Sequence, residues 1–202
     1  MQPNGFQMKS KKRLIIGISG ASGVQLGYRL LKVLKELQRF EVHLVVSEGA
    51  KETIRYELPI TYEELIDYAD IVHENNDIAA SIASGSYESE GMIIIPASMK
   101  TVSALAHGYA DSLLQRAADV MIKEKRKLII VPREMPMSAI HLDNLSYLAK
   151  LPDIHIIPPM LTYYNQPESI ADMELHIIGK LLSKFNINIK EYKRWKENNT
   201  TN

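Results

Sequence analysis

The sequence predicts an α/β protein with a doubly wound parallel sheet in a single domain, and three observations support this class. Five short runs rich in isoleucine and valine do not alternate with polar residues, which is typical of strands buried on both faces of a parallel sheet. Segments of helix length separate the runs, as in doubly wound sheets. The chain has 202 residues, enough for one domain with a substantial core.

The predicted strands are the most apolar parts of the chain. They cover residues 14–18, 42–46, 92–95, 128–131 and 154–157. Between the second and third strands the pattern is less regular. There the sequence predicts a short helix within 61–70, a short strand at 71–74 and a loop of small residues at 83–89.

Six longer helices are predicted between and after the strands. Their ranges are 23–37, 48–56, 98–107, 111–125, 138–150 and 167–185. In the first of them, leucine and valine recur mostly on one side, which favours an amphipathic helix. The last begins at Pro167, because proline is favoured in the first turn of a helix.

Both ends of the chain are polar. Residues 1–12 are predicted to be a disordered or frayed tail, residues 13–195 the α/β domain, and residues 196–202 a C-terminal tail. The apolar run behind the first tail is too short for the hydrophobic region of a signal peptide. No run approaches the ~20 residues of a membrane span.

Composition excludes several classes of function. Twenty-four basic residues balance twenty-four acidic ones, so no overall charge favours nucleic acid or a membrane surface. The absence of cysteine excludes disulfides, a thiolate nucleophile and cysteine-ligated metals, and it suits a cytoplasmic location. The six histidines show no HxH, HxxxH or HExxH spacing, so no metal site is predicted.

Polar residues follow each of the five predicted strands. The strands end in SGASG, SEGA, PASMKT, PREMP and PPMLTYYNQP. In an open α/β sheet, ligands bind outside the carboxyl ends of the strands. We therefore expect all five segments to point toward one binding region.

The SGASG segment at 19–23 lies between a strand and a helix. It could cradle a phosphate at the helix N-terminus, where free amides and the helix dipole favour an anion. The alternative is a tight turn that needs the positive φ of glycine. Ser47 stands at the position where a dinucleotide-binding site would have an acidic residue, which favours a mononucleotide. The sequence has no GxxxxGK[ST] motif, so a P-loop is not predicted.

Two further segments carry charged or hydroxyl side chains suited to ligands. Ser98, Lys100 and Thr101 in PASMKT are equally compatible with a second anion site and with simple helix capping. The guanidinium of Arg133 can make two parallel hydrogen bonds to a phosphate or to planar carbonyls. Glu134 is a candidate acid or base. The alternative for these last two residues is a surface ion pair.

Taken together, these segments resemble the UbiX-type flavin prenyltransferases. The resemblance covers about 13–195 and rests on SGASG, SEGA, PASMKT, LLQRAADVMIKEKRKLIIVPRE, IHLDNL, YYNQPES and a late RW. It implies a Rossmann-like, flavodoxin-like fold and a metal-independent reaction. In that reaction a dimethylallyl group passes from dimethylallyl phosphate to N5 and C6 of reduced FMN. It also implies a large homo-oligomer with sites shared between subunits, and a UbiD-type decarboxylase that receives the prenylated FMN.

The resemblance assigns roles to individual residues by motif position. The FMN contacts that it implies are Gly20, Ala21, Ser22, Ser47, Ser98, Met99, Lys100, Thr101 and Arg133. The contacts to the donor phosphate that it implies are Tyr164 and Lys180, and the catalytic residues are Ser22, Glu134, Glu57, Lys123 and Arg116.

Two positions depart from the family's common pattern. Lys180 stands where arginine is common. Because the lysine ammonium is a point charge and cannot make the bidentate hydrogen bonds of a guanidinium, we expect looser binding of the donor phosphate. Asn165 stands where histidine is common.

The chemistry requires an allylic phosphate to ionise without a metal. Positive charge must stabilise the leaving phosphate as the bond breaks. The candidates for this are Lys123, Lys180, Tyr164 and Arg133. Ser22 and Glu134 are expected to handle the protons at N5 and on the flavin ring.

Two alternatives remain open from the sequence. The first is a non-catalytic FMN carrier, against which the second anion site at Tyr164 and Lys180 argues. The second is a flavin-dependent cysteine decarboxylase of the same broad fold. That family relies on an active-site histidine and a PASANT-like segment, which PASMKT matches only in part.

Overall fold

Six parallel strands form one sheet in the computed structural model, which describes residues 11–190, 192, 194 and 195. The strands are β1 (Lys12–Ile18), β2 (Phe40–Val46), β3 (Ile71–His73), β4 (Met92–Ala97), β5 (Leu128–Pro132) and β6 (Ile154–Ile156). Their order is β3-β2-β1-β4-β5-β6. This is the order of a doubly wound Rossmann-type sheet, so the predicted single-domain, Rossmann-like parallel sheet is confirmed.

Seven α-helices connect and follow the strands in the described part of the chain. They are α1 (Val24–Leu37), α2 (Glu48–Glu57), α3 (Tyr62–Ile66), α4 (Met99–Ala106), α5 (Leu113–Lys123), α6 (Ala139–Leu148) and α7 (Ile170–Ser183). All predicted helices occur, and so does the short strand predicted at 71–74, as β3. Helix α7 starts later than predicted because the Ser169 hydroxyl accepts a hydrogen bond from the Asp172 amide (3.2 Å) and caps the helix there.

Both faces of the sheet are covered by helices. Alternate residues of β1 show this: Leu14, Ile16 and Ile18 pack toward α1, α2 and α7, whereas Ile15 packs toward α4, α5 and α6. All four of these side chains are at most 1% exposed. Burial on both faces explains why the strand sequences are continuously apolar.

The carboxyl ends of the central strands lie at one level. The Ser47 amide donates to the Ile18 carbonyl (3.0 Å), which aligns the segment after β2 with the segment after β1. On the other side of β1, the Ser19 amide donates to the Pro96 carbonyl (3.1 Å). The segments SGASG, SEGA and PASMKT therefore start next to one another, as the sequence predicts.

Two kinds of feature are missing from the described residues. No helix among them combines the length and the apolar character needed to cross a bilayer. No group of three or more histidine, cysteine, aspartate or glutamate side chains among them could hold a metal ion. Residues 1–10 and the predicted tail at 196–202 lie outside the described residues, and the predicted domain boundaries stay predictions.

Candidate active site

A cleft of about 510 Å³ lies at the carboxyl ends of β1, β2 and β4. Five of the predicted FMN contacts line it, namely Gly20, Ser47, Ser98, Lys100 and Thr101. The structure therefore brings together residues from three segments of the sequence. The volume lies within the roughly 300–1,000 Å³ of small-molecule sites in proteins.

The N-termini of α2 and α4 open onto this cleft. The Ser47 hydroxyl accepts a hydrogen bond from the Ala50 amide (3.2 Å), and the Ser98 hydroxyl accepts one from the Thr101 amide (3.3 Å). These caps leave other first-turn amides without an intrahelical acceptor. Two helix dipoles and the exposed Lys100 thus favour an anion in the cleft.

Gly20 is required where the segments after β1 and β2 meet. A Cβ atom on Gly20 would lie 2.8 Å from the carbonyl carbon of Gly49, closer than real Cβ contacts. Because the neighbouring atom belongs to the backbone, it cannot move aside cheaply. The glycine keeps the two strand ends close enough to form one wall of the cleft.

The N-terminus of α1 differs from those of α2 and α4. Its N-cap, Gly23, has φ 96° and makes no side-chain cap, whereas each of the other six α-helices described has a capping side chain. The Gly23 amide instead donates to Oε2 of Glu57 (2.7 Å). The carboxylate of Glu57, distant in sequence, is thus bound to the amide that directly follows Ser22. The protein's own carboxylate occupies the anion position that the sequence suggested for SGASG.

Ser19 connects the ends of β1 and β4. Its hydroxyl donates to the Pro96 carbonyl (3.0 Å) and accepts from the Ser98 amide (2.8 Å), and the residue is 2% exposed. Ser19 was not among the residues predicted from the sequence. Its position, as the first polar residue after a buried strand, was the signal that could have found it.

Further polar residues of the cleft were not predicted. They are Glu48, Asn75, Asn76, Asp111, Ser112 and Gln115. Asn75 follows β3 and holds the start of α5, because its carbonyl and Oδ1 accept from the amides of Leu113 (2.8 Å) and Leu114 (3.1 Å). The polar sequence directly after the short strand at 71–74 was the available signal.

Met99 is placed differently from the other predicted FMN contacts. Its side chain is 8% exposed and packs in the core beside Val102. Thr101 is also buried, and its hydroxyl lies 3.1 Å from that of Ser98. Any contact between Met99 and a ligand in the cleft would therefore involve its backbone.

A second pocket, of about 250 Å³, lies beyond the end of β6 and against α7. Both predicted donor-phosphate residues, Tyr164 and Lys180, line it together with His176 and Tyr192. The sequence places all strand ends around one region. The structure divides that region into two cavities whose lining residues do not overlap in the described chain.

Protonation in this pocket follows from burial. Burial, and to a smaller extent the charge of Lys180, lowers the pKa of His176, so the imidazole is neutral at pH 7. Burial, and next Tyr192, raises the pKa of Tyr164, so the phenol keeps its proton. Lys180 is exposed at the mouth of the pocket and supplies its positive charge.

Arg133 and Glu134 follow β5 at the carboxyl edge of the sheet. The Arg133 amide donates to the Ala97 carbonyl (3.1 Å), which fixes the backbone, but its side chain is exposed. Glu134 is half-buried, and its Oε1 accepts from the Met135 amide (3.1 Å). Neither residue lines the cleft or the pocket as the described part of the chain forms them.

Lys123 and Arg116 lie on α5. The start of this helix lines the cleft, whereas Lys123 is its last residue, about 15 Å further along at 1.5 Å per residue. Lys123 forms an ion pair with Glu124 (2.8 Å) at the opposite edge of the sheet. Arg116 pairs with Asp119 (2.6 Å) one turn into the helix. Within one chain, Lys123 is therefore remote from Ser22 and Tyr164.

Comparisons with known proteins agree with this fold and site. The Flavoprotein family model matches residues 4–182. A relative from Sedimentibacter hydroxybenzoicus, named a probable UbiX-like flavin prenyltransferase, is 51% identical over 183 residues, which cover 91% of this chain and 96% of the relative.

Two solved structures are similar over nearly the whole domain. A dodecameric FMN-dependent UbiX-like decarboxylase from Escherichia coli O157:H7 is 44% identical, with a TM-score of 0.89 and coverage of 91% of this chain and 99% of that chain. AnUbiX (PadA1), in complex with FMN and dimethylallyl pyrophosphate, is 39% identical, with a TM-score of 0.89 and coverage of 92% and 98%. The predicted resemblance is thereby confirmed: this chain belongs to the flavoprotein family and, within it, to the UbiX-like flavin prenyltransferases.

Proposed function

We propose that the protein transfers a dimethylallyl group from dimethylallyl phosphate to N5 and C6 of reduced FMN, without a metal. One observation carries this proposal: a single chain forms two separate cavities, each suited to a phosphate. A protein that only carried FMN would need the first of them alone. Two phosphate sites fit two phosphorylated substrates.

The first substrate, FMN, fits the cleft. Ser47, Gly49, Ser98 and Lys100 surround the N-termini of α2 and α4 and would hold the FMN phosphate through amides, hydroxyls and one positive charge. Reduced FMN supplies the nucleophilic N5 of the reaction. We infer that Ser22 and Glu57 flank its reacting edge, because the Glu57 carboxylate is bound to the amide that follows Ser22.

The donor fits the pocket on α7. Lys180 would bind the phosphate as a point charge, and the protonated phenol of Tyr164 would donate a hydrogen bond to it. Both interactions strengthen as negative charge collects on the leaving phosphate, which lowers the barrier to breaking the carbon–oxygen bond. Ser22 and Glu134 remain our candidates for moving protons at N5 and C6.

The remote position of Lys123 supports a shared site. Because this residue lies at the opposite edge of its own sheet, we expect the Lys123 near a given donor to belong to a second copy of the chain. The homologous structure from Escherichia coli O157:H7 is a dodecamer. We propose a homo-oligomer here, located in the cytoplasm, whose product passes to a UbiD-type decarboxylase.

Anaerobic incubation of the protein with reduced FMN and dimethylallyl phosphate tests the proposal. Mass spectrometry of the flavin should show the addition of one dimethylallyl unit, and parallel reactions with the diphosphate identify the preferred donor. Flavin that stays bound and unmodified with both donors would contradict prenyl transfer and favour a carrier.

Lys180→Ala sharpens the same test. Loss of the charge should raise KM for the donor by about tenfold, since a hydrogen bond to a charged group contributes about 1.5–3 kcal/mol, and leave FMN affinity unchanged. Lys150→Ala is the matched control, because Lys150 is also exposed and lines neither cavity. Equal effects of the two substitutions would remove Lys180 from the donor site.

A further inference from the structure

The imidazole of His176 lies next to the phenol of Tyr164 in the pocket on α7. Nε2 of His176 is 3.3 Å from the Tyr164 hydroxyl, and the two rings meet edge to face with centroids 5.5 Å apart. The Tyr192 ring packs against the same imidazole, with the two ring centroids 5.1 Å apart. His176 is 6% exposed, whereas Tyr164 is 44% exposed. A buried imidazole therefore contacts a partly exposed tyrosine that lines the pocket.

The other ring nitrogen of His176 has no such contact. Nδ1 is buried and, among the described residues, no hydrogen-bond partner reaches it. The tautomer of a histidine is usually set by the hydrogen bond that its second nitrogen makes. Here only the bond between Nε2 and Tyr164 bears on where the single proton of the neutral ring resides.

The direction of that bond decides what Tyr164 can do. A phenol has one proton to donate. If Tyr164 donates it to Nε2, none remains for a ligand. If Nε2–H donates to the phenol oxygen instead, the Tyr164 proton is free for a phosphate oxygen, and the accepted bond polarises the O–H group and makes it a stronger donor. A phosphate beside Lys180 has only acceptors to offer when it is doubly ionised, so it selects the second arrangement.

We propose that His176 is a positioning residue whose Nε2–H holds the Tyr164 hydroxyl and directs the tyrosine proton to the phosphate of the prenyl donor. The inference rests on the proposed function, because it takes a phosphate as the group bound by Tyr164 and Lys180. The position of His176 on the helix agrees with this role, because His176 and Lys180 are four residues apart and share one face of α7. The imidazole acts through Tyr164 and does not itself touch the donor.

Two substitutions of His176 form a matched pair. In His176→Gln the side-chain amide places an N–H near the position of Nε2, whereas the shorter amide of His176→Asn reaches only the position of Nδ1. The two variants have similar polarity, so a general loss of burial or packing affects both. We expect KM for the donor to stay within about threefold of wild type in His176→Gln and to rise about tenfold in His176→Asn, with FMN affinity unchanged in both.

A double-mutant cycle tests whether His176 acts through Tyr164. Tyr164→Phe and His176→Asn should each raise KM for the donor about tenfold, and the double variant should be no worse than either one, because both remove the same interaction. Effects that multiply to about a hundredfold would overturn the inference. Equal effects of His176→Gln and His176→Asn on KM for the donor would also overturn it. Thermal unfolding of each variant verifies that it is folded.

Binding of inorganic phosphate to the FMN-loaded protein separates this inference from the proposed function. Isothermal titration calorimetry measures that binding without turnover. If the wild type shows no prenyl transfer but phosphate affinity follows the same non-additive cycle, the proposed function fails and the role of His176 stands. If prenyl transfer occurs and His176→Asn leaves KM and phosphate affinity unchanged, the inference fails alone. If prenyl transfer occurs but the wild type binds no phosphate, the inference also fails alone, because it requires a phosphate held by Tyr164 and Lys180.

Discussion

Two histidine–tyrosine pairs in this protein have nearly the same local geometry. The Tyr87 hydroxyl lies 3.2 Å from Nε2 of His43, and the Tyr164 hydroxyl lies 3.3 Å from Nε2 of His176. In both pairs the ring centroids are 5.5 Å apart and the rings meet edge to face. Both histidines are buried, His43 fully and His176 at 6% exposure.

The surroundings of the two pairs differ. Nδ1 of His43 lies 2.9 Å from Nε2 of His73, and its Nε2 also lies 3.0 Å from Oε1 of Glu41. The Arg13 guanidinium stacks 4.4 Å from the centre of the Tyr87 ring and donates to Glu41 (3.1 Å). Both nitrogens of His43 thus have partners. In the described part of the chain, Nδ1 of His176 has none, and its tyrosine lines a pocket.

From this difference we infer that the first pair is structural and the second functional. A buried polar network with all its partners in place stabilises a fold, because removing a member leaves the others unsatisfied. A pair with an unpaired nitrogen and a tyrosine that lines a pocket can change its hydrogen bonding when a ligand arrives. We therefore expect substitutions in the first pair to change stability and substitutions in the second to change donor binding.

The largest expected effect on stability is that of His43→Leu. The substitution leaves His73 and Tyr87 without their buried partner and should lower the free energy of unfolding by about 3 kcal/mol, while KM for the donor stays unchanged. Urea denaturation measures the first quantity and steady-state kinetics the second. His73→Leu, at a half-buried site, is the control and should cost about 1 kcal/mol. If His43→Leu lowers the free energy of unfolding no more than this control does, the first pair is not the structural network inferred here.

The two tyrosines give a more direct contrast of intermediate size. Tyr164→Phe should lower kcat/KM for the donor at least tenfold, about 1.4 kcal/mol or more, with little change in the free energy of unfolding. Tyr87→Phe should do the reverse, lowering the free energy of unfolding by about 1 kcal/mol without changing donor kinetics. The same two assays applied to both variants check this. A lower kcat/KM for the donor in Tyr87→Phe would show that the first pair also serves the site.

The smallest expected effect is on the pH dependence of stability. Burial is the main cause that lowers the pKa of both His73 and His176 from the ordinary 6.5. The unfolded chain therefore binds more protons than the folded one below about pH 6.5, and the free energy of unfolding falls as the pH drops from 7.5 to 5.5. Each histidine contributes at most about 1.4 kcal/mol per pH unit.

Glutamine variants isolate these contributions. His73→Gln and His176→Gln should each flatten the fall in stability, as measured by urea denaturation at the two pH values. His155, whose pKa burial also lowers, keeps part of the dependence in both variants. If the free energy of unfolding of either variant falls with pH as steeply as that of the wild type, the substituted histidine is not held neutral by the fold.

The ends of the strands show how far the sequence predicts the site. Gly20, Ser47 and Ser98 were expected to meet because parallel buried strands end at one edge, and they line one cleft. Asn75 belongs to the same cleft but was missed, although the short strand before it, β3, was predicted. Only the segments after the five longer apolar runs were expected to bind a ligand, and β3 is a three-residue strand at the edge of the sheet. His176 was missed because its helix pattern does not distinguish a core histidine from one that holds a tyrosine.

The class and order of the elements follow from the amino-acid pattern alone. Apolar runs without alternation require burial on both faces, and helical connections between them require parallel strands. The segments with polar residues also determined the family. Three facts come from the three-dimensional packing: the cleft and the pocket on α7 are separate, Glu57 reaches the Gly23 amide, and Lys123 lies away from both cavities. Such facts depend on how elements distant in the chain pack, since a hydrogen bond forms only within a few tenths of an ångström and no local pattern encodes that distance.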